Sequence, residues 1–321
     1  VERLEEEKRI AEVERLEEEK RIAEVERIAE EKRLEQQKEK AVRESKISEL
    51  QKSSVKEGIS GPDLFEDLND EQKKAASSDQ KHILVLAGAG CGKTKTIIAR
   101  AQYLIEKKTS AEKIQILTFT RKSSTEIVER VKSRLGEKAK ALKASTFHTW
   151  CMTMIRQSPD LFGSRGFTVI DRDDQITIFR FARALSSDAS NPLLPSAYDL
   201  CELYSYGRNV GITLKKTLEE KFPESSGQLN SIGKIIASYE GRKEASKYLD
   251  YDDILQVVAK QISSYPEVLD WITSNYTDVL IDEFQDTNPL QWKLLYPLIA
   301  KLRLFCVGDD AQSIYGFRGA D

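Results

Sequence analysis

Four short apolar, β-branched runs punctuate the chain: Ile83-Leu84-Val85-Leu86, Ile114-Gln115-Ile116-Leu117-Thr118-Phe119-Thr120, Val279-Leu280-Ile281 and Leu304-Phe305-Cys306-Val307-Gly308. Runs of this length with little alternation predict strands buried on both faces, and each ends in a polar or glycine-rich cluster. Helical spacing follows the first two runs, with Ile97, Ile98, Ala101, Leu104 and Ile105 after one and Ile127, Val128, Val131 and Leu135 after the other. Strand followed by amphipathic helix predicts an α/β fold, and in open α/β sheets ligands sit beyond the strand ends. Between about 150 and 270 the pattern is mostly helical, with stretches at 173–185 and 232–248.

The N-terminal segment follows a different rule. VERLEEEKRIAE at positions 1–12 recurs unchanged at 13–24 and returns degraded at 25–36. Such a repeat turns the pattern by roughly 120° each time, so the valines that open each copy fall on different faces and no continuous heptad seam forms. Pairs such as Glu5 with Arg9 and Glu17 with Arg21 support an exposed helix instead. The expectation for 1–52 is an extended, charged, solvated helical arm, with a coiled-coil site for a protein partner as the second use. Ser, Gly and Pro at 53–62 mark a linker. The chain begins at Val1, inside a repeat, and is expected to be a fragment.

The net charge of −3 excludes a global electrostatic argument for nucleic acid, leaving only local patches. Four cysteines, Cys91, Cys151, Cys201 and Cys306, lie far apart with no metal-type or disulfide-type spacing, which suits a reducing compartment. No apolar run is long enough to span a bilayer and no signal-peptide pattern is present. An intracellular location is expected, in the nucleus of a eukaryote or the cytoplasm of a bacterium.

Candidate chemistry gathers at the strand ends. Ala87-Gly88-Ala89-Gly90-Cys91-Gly92-Lys93-Thr94 joins a strand to a helix, where glycines let backbone N–H groups close around phosphate oxygens. Lys93 then reaches the β- and γ-phosphates, and the Thr94 hydroxyl completes a metal shell. Cys91 is a small residue that fits this loop, or a thiol made reactive by the helix N-terminus. Asp282 is suited to hold Mg²⁺, directly or through water, and Glu283 to orient an attacking water; alone, the two acids read equally as a solvated turn. Asn69 with Gln72 forms a capping-box pattern, although the Gln72 amide also complements an adenine edge. Phe119 beside Arg121 and Lys122 reads either as a core ring or as a base-stacking ring with phosphate-neutralising neighbours. Thr146-Phe147-His148 has the same character with less force. Gln312 is placed to sense a γ-phosphate, and Tyr315, Phe317 and Arg318 offer rings and charge to successive bases, or ordinary packing.

In order, LNDEQKKAA, AGAGCGKT, TFTRKSS, TFH, LIDEFQDTN and VGDDAQSIYGFRGAD resemble the Q motif, Walker A, motif Ia, motif Ib, Walker B and motif III of superfamily 1 DNA helicases of the UvrD/Rep/PcrA type. The resemblance covers roughly 63–321, and alanine at position 87 is the family's habit. It implies a RecA-like P-loop NTPase domain, called 1A, with a parallel sheet and flanking helices at 63–149 and 271–321, interrupted by a mostly helical insertion, 1B, at 150–270. Leu249-Asp250-Tyr251-Asp252-Asp253-Ile254 resembles motif Id. The implied cofactors are ATP and Mg²⁺. Gln72 would contact adenine, and Gly88, Ala89, Gly90, Cys91, Gly92, Lys93, Thr94 and Lys95 would hold the nucleotide. Thr94 and Asp282 would bind Mg²⁺, Glu283 would activate water, and Lys93 and Gln312 would complete the catalytic set. Phe119, Thr120, Arg121, Lys122, Thr146, Phe147, His148, Tyr315, Phe317 and Arg318 would line a single-stranded DNA track. Arg121 stands where the family usually has Asn, and Phe317 where it often has Trp.

The implied function is an ATP-dependent DNA helicase or translocase, moving 3′ to 5′ on single strands in repair or recombination. The alternative is an ATP- and DNA-binding interaction module without significant hydrolysis of its own. It follows from the chain's end inside motif III: the family's second motor domain, with its phosphate-stabilising arginines, is expected beyond Asp321.

Overall fold

The structure is a computed structural model that describes residues 65–88 and 90–309. The chain divides into two units, Val1–Pro62 and Asp63–Asp321. The expected arm and linker lie outside the described residues, as do Ala89, Gln312, Tyr315, Phe317 and Arg318.

Five parallel strands form the main sheet: β1 (His82–Leu86), β2 (Ile114–Leu117), β3 (Lys143–Ser145), β6 (Asp278–Ile281) and β7 (Arg303–Gly308), in the order β1-β7-β6-β2-β3. Parallel neighbours require crossovers. Helices α2 (Lys93–Glu106) and α3 (Arg121–Leu135) follow β1 and β2, and α11 (Pro289–Leu295) lies between β6 and β7. Register pairs Ile116 with Leu280 and Leu280 with Phe305, while Val279 pairs with Leu304 and Ile281 with Cys306.

Because side chains alternate across a sheet, these two rows build two cores. Ile114, Ile116, Leu280, Phe305 and Val307 pack with Ile97, Ala101 and Leu104 of α2 and with Ile127 and Val131 of α3. Leu117, Val279, Ile281, Leu304 and Cys306 pack against α4 (Phe147–Gln157), α9 (Tyr251–Ser264), α10 (Pro266–Asn275) and α11. The second run ends earlier than its apolar pattern suggests. It leaves the sheet at Thr118, whose hydroxyl bonds the carbonyl of Thr120 (2.9 Å), while the Thr120 side chain caps α3.

A third core belongs to α5 (Arg172–Ala184), α6 (Ala197–Val210), α7 (Leu214–Lys221) and α8 (Leu229–Ser246), around Phe179, Leu200, Tyr204, Ile232 and Tyr239. Phe179 and Tyr239 stack with ring centroids 3.9 Å apart. A two-strand parallel pair, β4 (Thr168–Val169) with β5 (Tyr248–Leu249), joins the points where the chain enters and leaves this bundle. The stretch expected as one insertion is thus held by two cores, with α4, α9 and α10 serving the sheet. Among the described residues no helix is long and apolar enough to cross a membrane.

Candidate active site

The phosphate loop is shaped by its glycines and by α1 (Asp70–Ser77). After β1 the Ala87 N–H still bonds the Gly308 carbonyl (2.9 Å), and the chain then turns through Gly90 (φ 71°) and Gly92 (φ 81°) in the left-handed region that glycine occupies without strain. At Gly92 a Cβ would also lie 2.7 Å from Gln72 Nε2. That amide donates to the Cys91 carbonyl (2.7 Å), while Gln72 Oε1 accepts the Asn69 N–H (3.0 Å) in the expected capping box. Gln72 therefore fastens the start of α1 to the phosphate loop. Helix α2 begins at Lys93 without a side-chain cap, so its first-turn N–H groups face the loop.

The acid pair sits at the end of β6. Asp282 N–H still donates to the Leu117 carbonyl (2.9 Å); Glu283 then adopts φ 51° and ψ 48°, a left-handed conformation uncommon for a residue with a Cβ. Glu283 Oε2 lies 3.0 Å from Lys93 Nζ and accepts a bond from Gln285 Nε2 (2.9 Å). Gln285 Oε1 in turn accepts the Asp309 N–H (2.9 Å), tying the ends of β6 and β7 together. This contact leaves no space for a side chain at Gly308, where a Cβ would be 2.9 Å from Gln285 Oε1. Asp282 is only 3% exposed. Burial first, then the Glu283 charge, push its carboxyl up to about 6, against the opposing pull of the Glu283 N–H, Lys93 and a hydrogen bond with the Thr94 side chain.

A carboxylate and a hydroxyl brought together in this way are hard oxygen donors suited to Mg²⁺, with phosphate and water for the remaining positions. Among the described residues no group of three or more His, Cys, Asp or Glu side chains could hold a metal alone. Lys93 and the open first turn of α2 fit its phosphates. Lys95 is exposed one residue beyond Thr94.

The expected DNA-track residues lie at neighbouring strand ends. After β2, Phe119 is half-buried while Thr120, Arg121 and Lys122 are exposed. After β3, the Thr146 hydroxyl caps α4 and His148 is half-buried. Phe147 is 2% exposed, and its ring lies in the core edge-on to Phe119 at 6.3 Å, where it supports that ring. Sequence reasoning gave no role to Tyr251, which is 45% exposed and meets His148 edge-on at 6.2 Å. The signal was an aromatic residue opening a helix in a segment already set apart by its acids. Gln285 ties the acid pair to a neighbouring strand end, through a bond with Asp309 that spans residues far apart in sequence.

Comparison with known proteins agrees with this geometry. The family model described as UvrD/REP helicase N-terminal domain matches residues 68–321. Proteins called ATP-dependent DNA helicase PcrA are 31% identical over 261 residues in Staphylococcus aureus and over 267 residues in Staphylococcus epidermidis, each match covering 80% of this chain and 35% of the relative. The chain thus spans about a third of the length of these relatives.

Proposed function

Since this chain belongs to the UvrD/REP helicase family through its N-terminal domain, we propose that it forms the first motor domain of an ATP-dependent DNA helicase or translocase that moves 3′ to 5′ on single strands in repair or recombination. The observation that carries the reading is the convergence of Lys93, Thr94, Asp282 and Glu283 at adjoining ends of a parallel sheet. The chemistry asked of these residues is positioning and charge. Lys93 neutralises Glu283 at 3.0 Å. An arriving triphosphate competes for that ammonium and frees the carboxylate, which Gln285 keeps oriented toward the attacking water. Mg²⁺, held by Thr94 and Asp282, would offset charge on the phosphates. Phe119, backed by Phe147, would stack a base, with Arg121 and Lys122 on the phosphates.

The complete set of base, phosphate-binding lysine and metal donors favours an enzyme over a binding module. An enzyme acting on chromosomal DNA works inside the cell, and the staphylococcal relatives give no support to the nuclear alternative. A protein partner for residues 1–52 rests on their repeat pattern alone.

The test is ATP hydrolysis by the complete protein with and without single-stranded DNA. Wild type is expected to be DNA-stimulated. Glu283→Gln should lower kcat by ~10²–10⁴-fold, as loss of a general base does, and Lys93→Ala should abolish turnover. Brisk hydrolysis in both variants would remove the basis of the proposal.

A further inference from the structure

Asn209, in the last turn of α6, joins the helical bundle to the loop behind the acid pair. Its Nδ2 donates to the Ser205 carbonyl (2.9 Å) and to Asp252 Oδ1 (2.8 Å), and its Oδ1 accepts from Asn288 Nδ2 (3.0 Å). Asn288 is buried, and its other polar groups form the capping box of α11: the N–H donates to Gln291 Oε1 (3.1 Å) and Oδ1 accepts the Gln291 N–H (2.9 Å). The bridge to Asn209 is therefore separate from the cap.

Little slack lies between Asn288 and Glu283. Asp286 N–H bonds the Glu283 carbonyl (2.9 Å), Thr287 N–H bonds the Phe284 carbonyl (3.1 Å), and Gln285 holds the Glu283 carboxylate itself. The bundle end of the bridge is equally fixed. Arg208 pairs with Asp253 (2.7 Å) and Glu240 (2.9 Å), while Lys243 joins Asp250 (2.6 Å) to Asp253 (2.7 Å). A shift of α6 against the sheet therefore pulls on Asn288, and through a tight turn on a residue already in a strained conformation.

We propose that Asn209 is a positioning residue through which the helical insertion sets the orientation of Glu283, so that the bundle's placement governs hydrolysis. This rests on the helicase reading above, with Glu283 as the base. In Asn209→Ala, the DNA-stimulated kcat should fall about tenfold while KM for ATP and DNA affinity stay near wild type and Tm falls by only a few degrees; a residue that merely stabilises would lower Tm and leave kcat alone.

Swapping the pair separates orientation from packing. Asn209→Asp sets two carboxyls against each other and should be impaired. Asn209→Asp with Asp252→Asn reverses the hydrogen bond between positions 209 and 252 and keeps an acceptor at 209 for Asn288, losing the donation to the Ser205 carbonyl, and should recover part of the lost kcat. Amide exchange over residues 284–288 reads the loop without any turnover, and should quicken in Asn209→Ala and return toward wild type in the double variant. Unchanged kcat in Asn209→Ala, no recovery in the double variant, or unchanged exchange would each overturn the proposal. Absence of DNA-stimulated hydrolysis in wild type, with the exchange response intact, would instead overturn the helicase reading and leave the link from Asn209 to the loop standing.

Discussion

Asp282 shows what a buried carboxylate beside a second acid costs a folded chain. With its carboxyl pushed up to about 6 by burial and by Glu283, the folded state holds that proton more tightly than the unfolded state, whose carboxyl titrates near the usual ~3.9. Stability contributed by this group therefore falls as pH rises between those two values and stays low above them. A carboxamide at this position has no proton to lose, so Asp282→Asn should be about as stable as wild type near pH 4 and more stable at pH 7.5, by at most about 2–3 kcal/mol. Denaturant titrations of both proteins across that range provide the check, and a difference independent of pH would rule out the ionised side chain as its source. The residue types of this site were legible in the sequence, since glycines, a lysine and two acids at strand ends have few other uses together. The left-handed backbone of Glu283 was not legible, because nothing in its side chain favours that region.

At the scale of elements, the start of α9 illustrates why contacts are harder to read than helices. The capping box of Asp250 and Asp253 is local, yet the structure places a 5% exposed lysine, Lys243 of α8, between the two carboxylates. All three ammonium donors are used, the third by the Tyr204 hydroxyl (3.0 Å). Burial opposes charge on Asp250, but Lys243 together with the Asp253 N–H and the Tyr239 hydroxyl holds that carboxyl below its ordinary value. Lys243→Met should leave two buried acids with one cation, Arg208, and destabilise the chain by about 3–5 kcal/mol, the usual cost of breaking a buried pair from one side. Urea unfolding would measure this, and a loss under about 1 kcal/mol would mean that water or Arg208 takes over the lysine's role. Strands and crossover helices were legible because apolar periodicity is local. The inward turn of Phe147, the separate core of α5 to α8 and the Asn209–Asn288 bridge were not, because each depends on partners brought close only by the fold.

For the whole molecule the question is how a chain of net charge −3 and pI near 5.8 would hold a polyanion. A summed field of that sign gives no long-range attraction, so affinity must come from cations at the contact itself. On the described surface, Arg121 and Lys122 are the exposed pair beside Phe119, at the end of a strand whose neighbour β6 carries the acids. Each phosphate neutralised on a single strand contributes about 0.7 to the slope of log affinity against log salt. Replacing both residues by alanine should therefore lessen the slope by about 1.4 and weaken binding at low salt far more than at high salt. Phe119→Ala should instead weaken binding by a factor nearly constant with salt, because stacking releases no counterions and is worth ~1–3 kcal/mol per base. Fluorescence anisotropy with a labelled oligothymidine at several salt concentrations distinguishes the two behaviours. Equal slopes in wild type and the double alanine variant would move the phosphate contacts elsewhere, and with them the assignment of this strand end as the track.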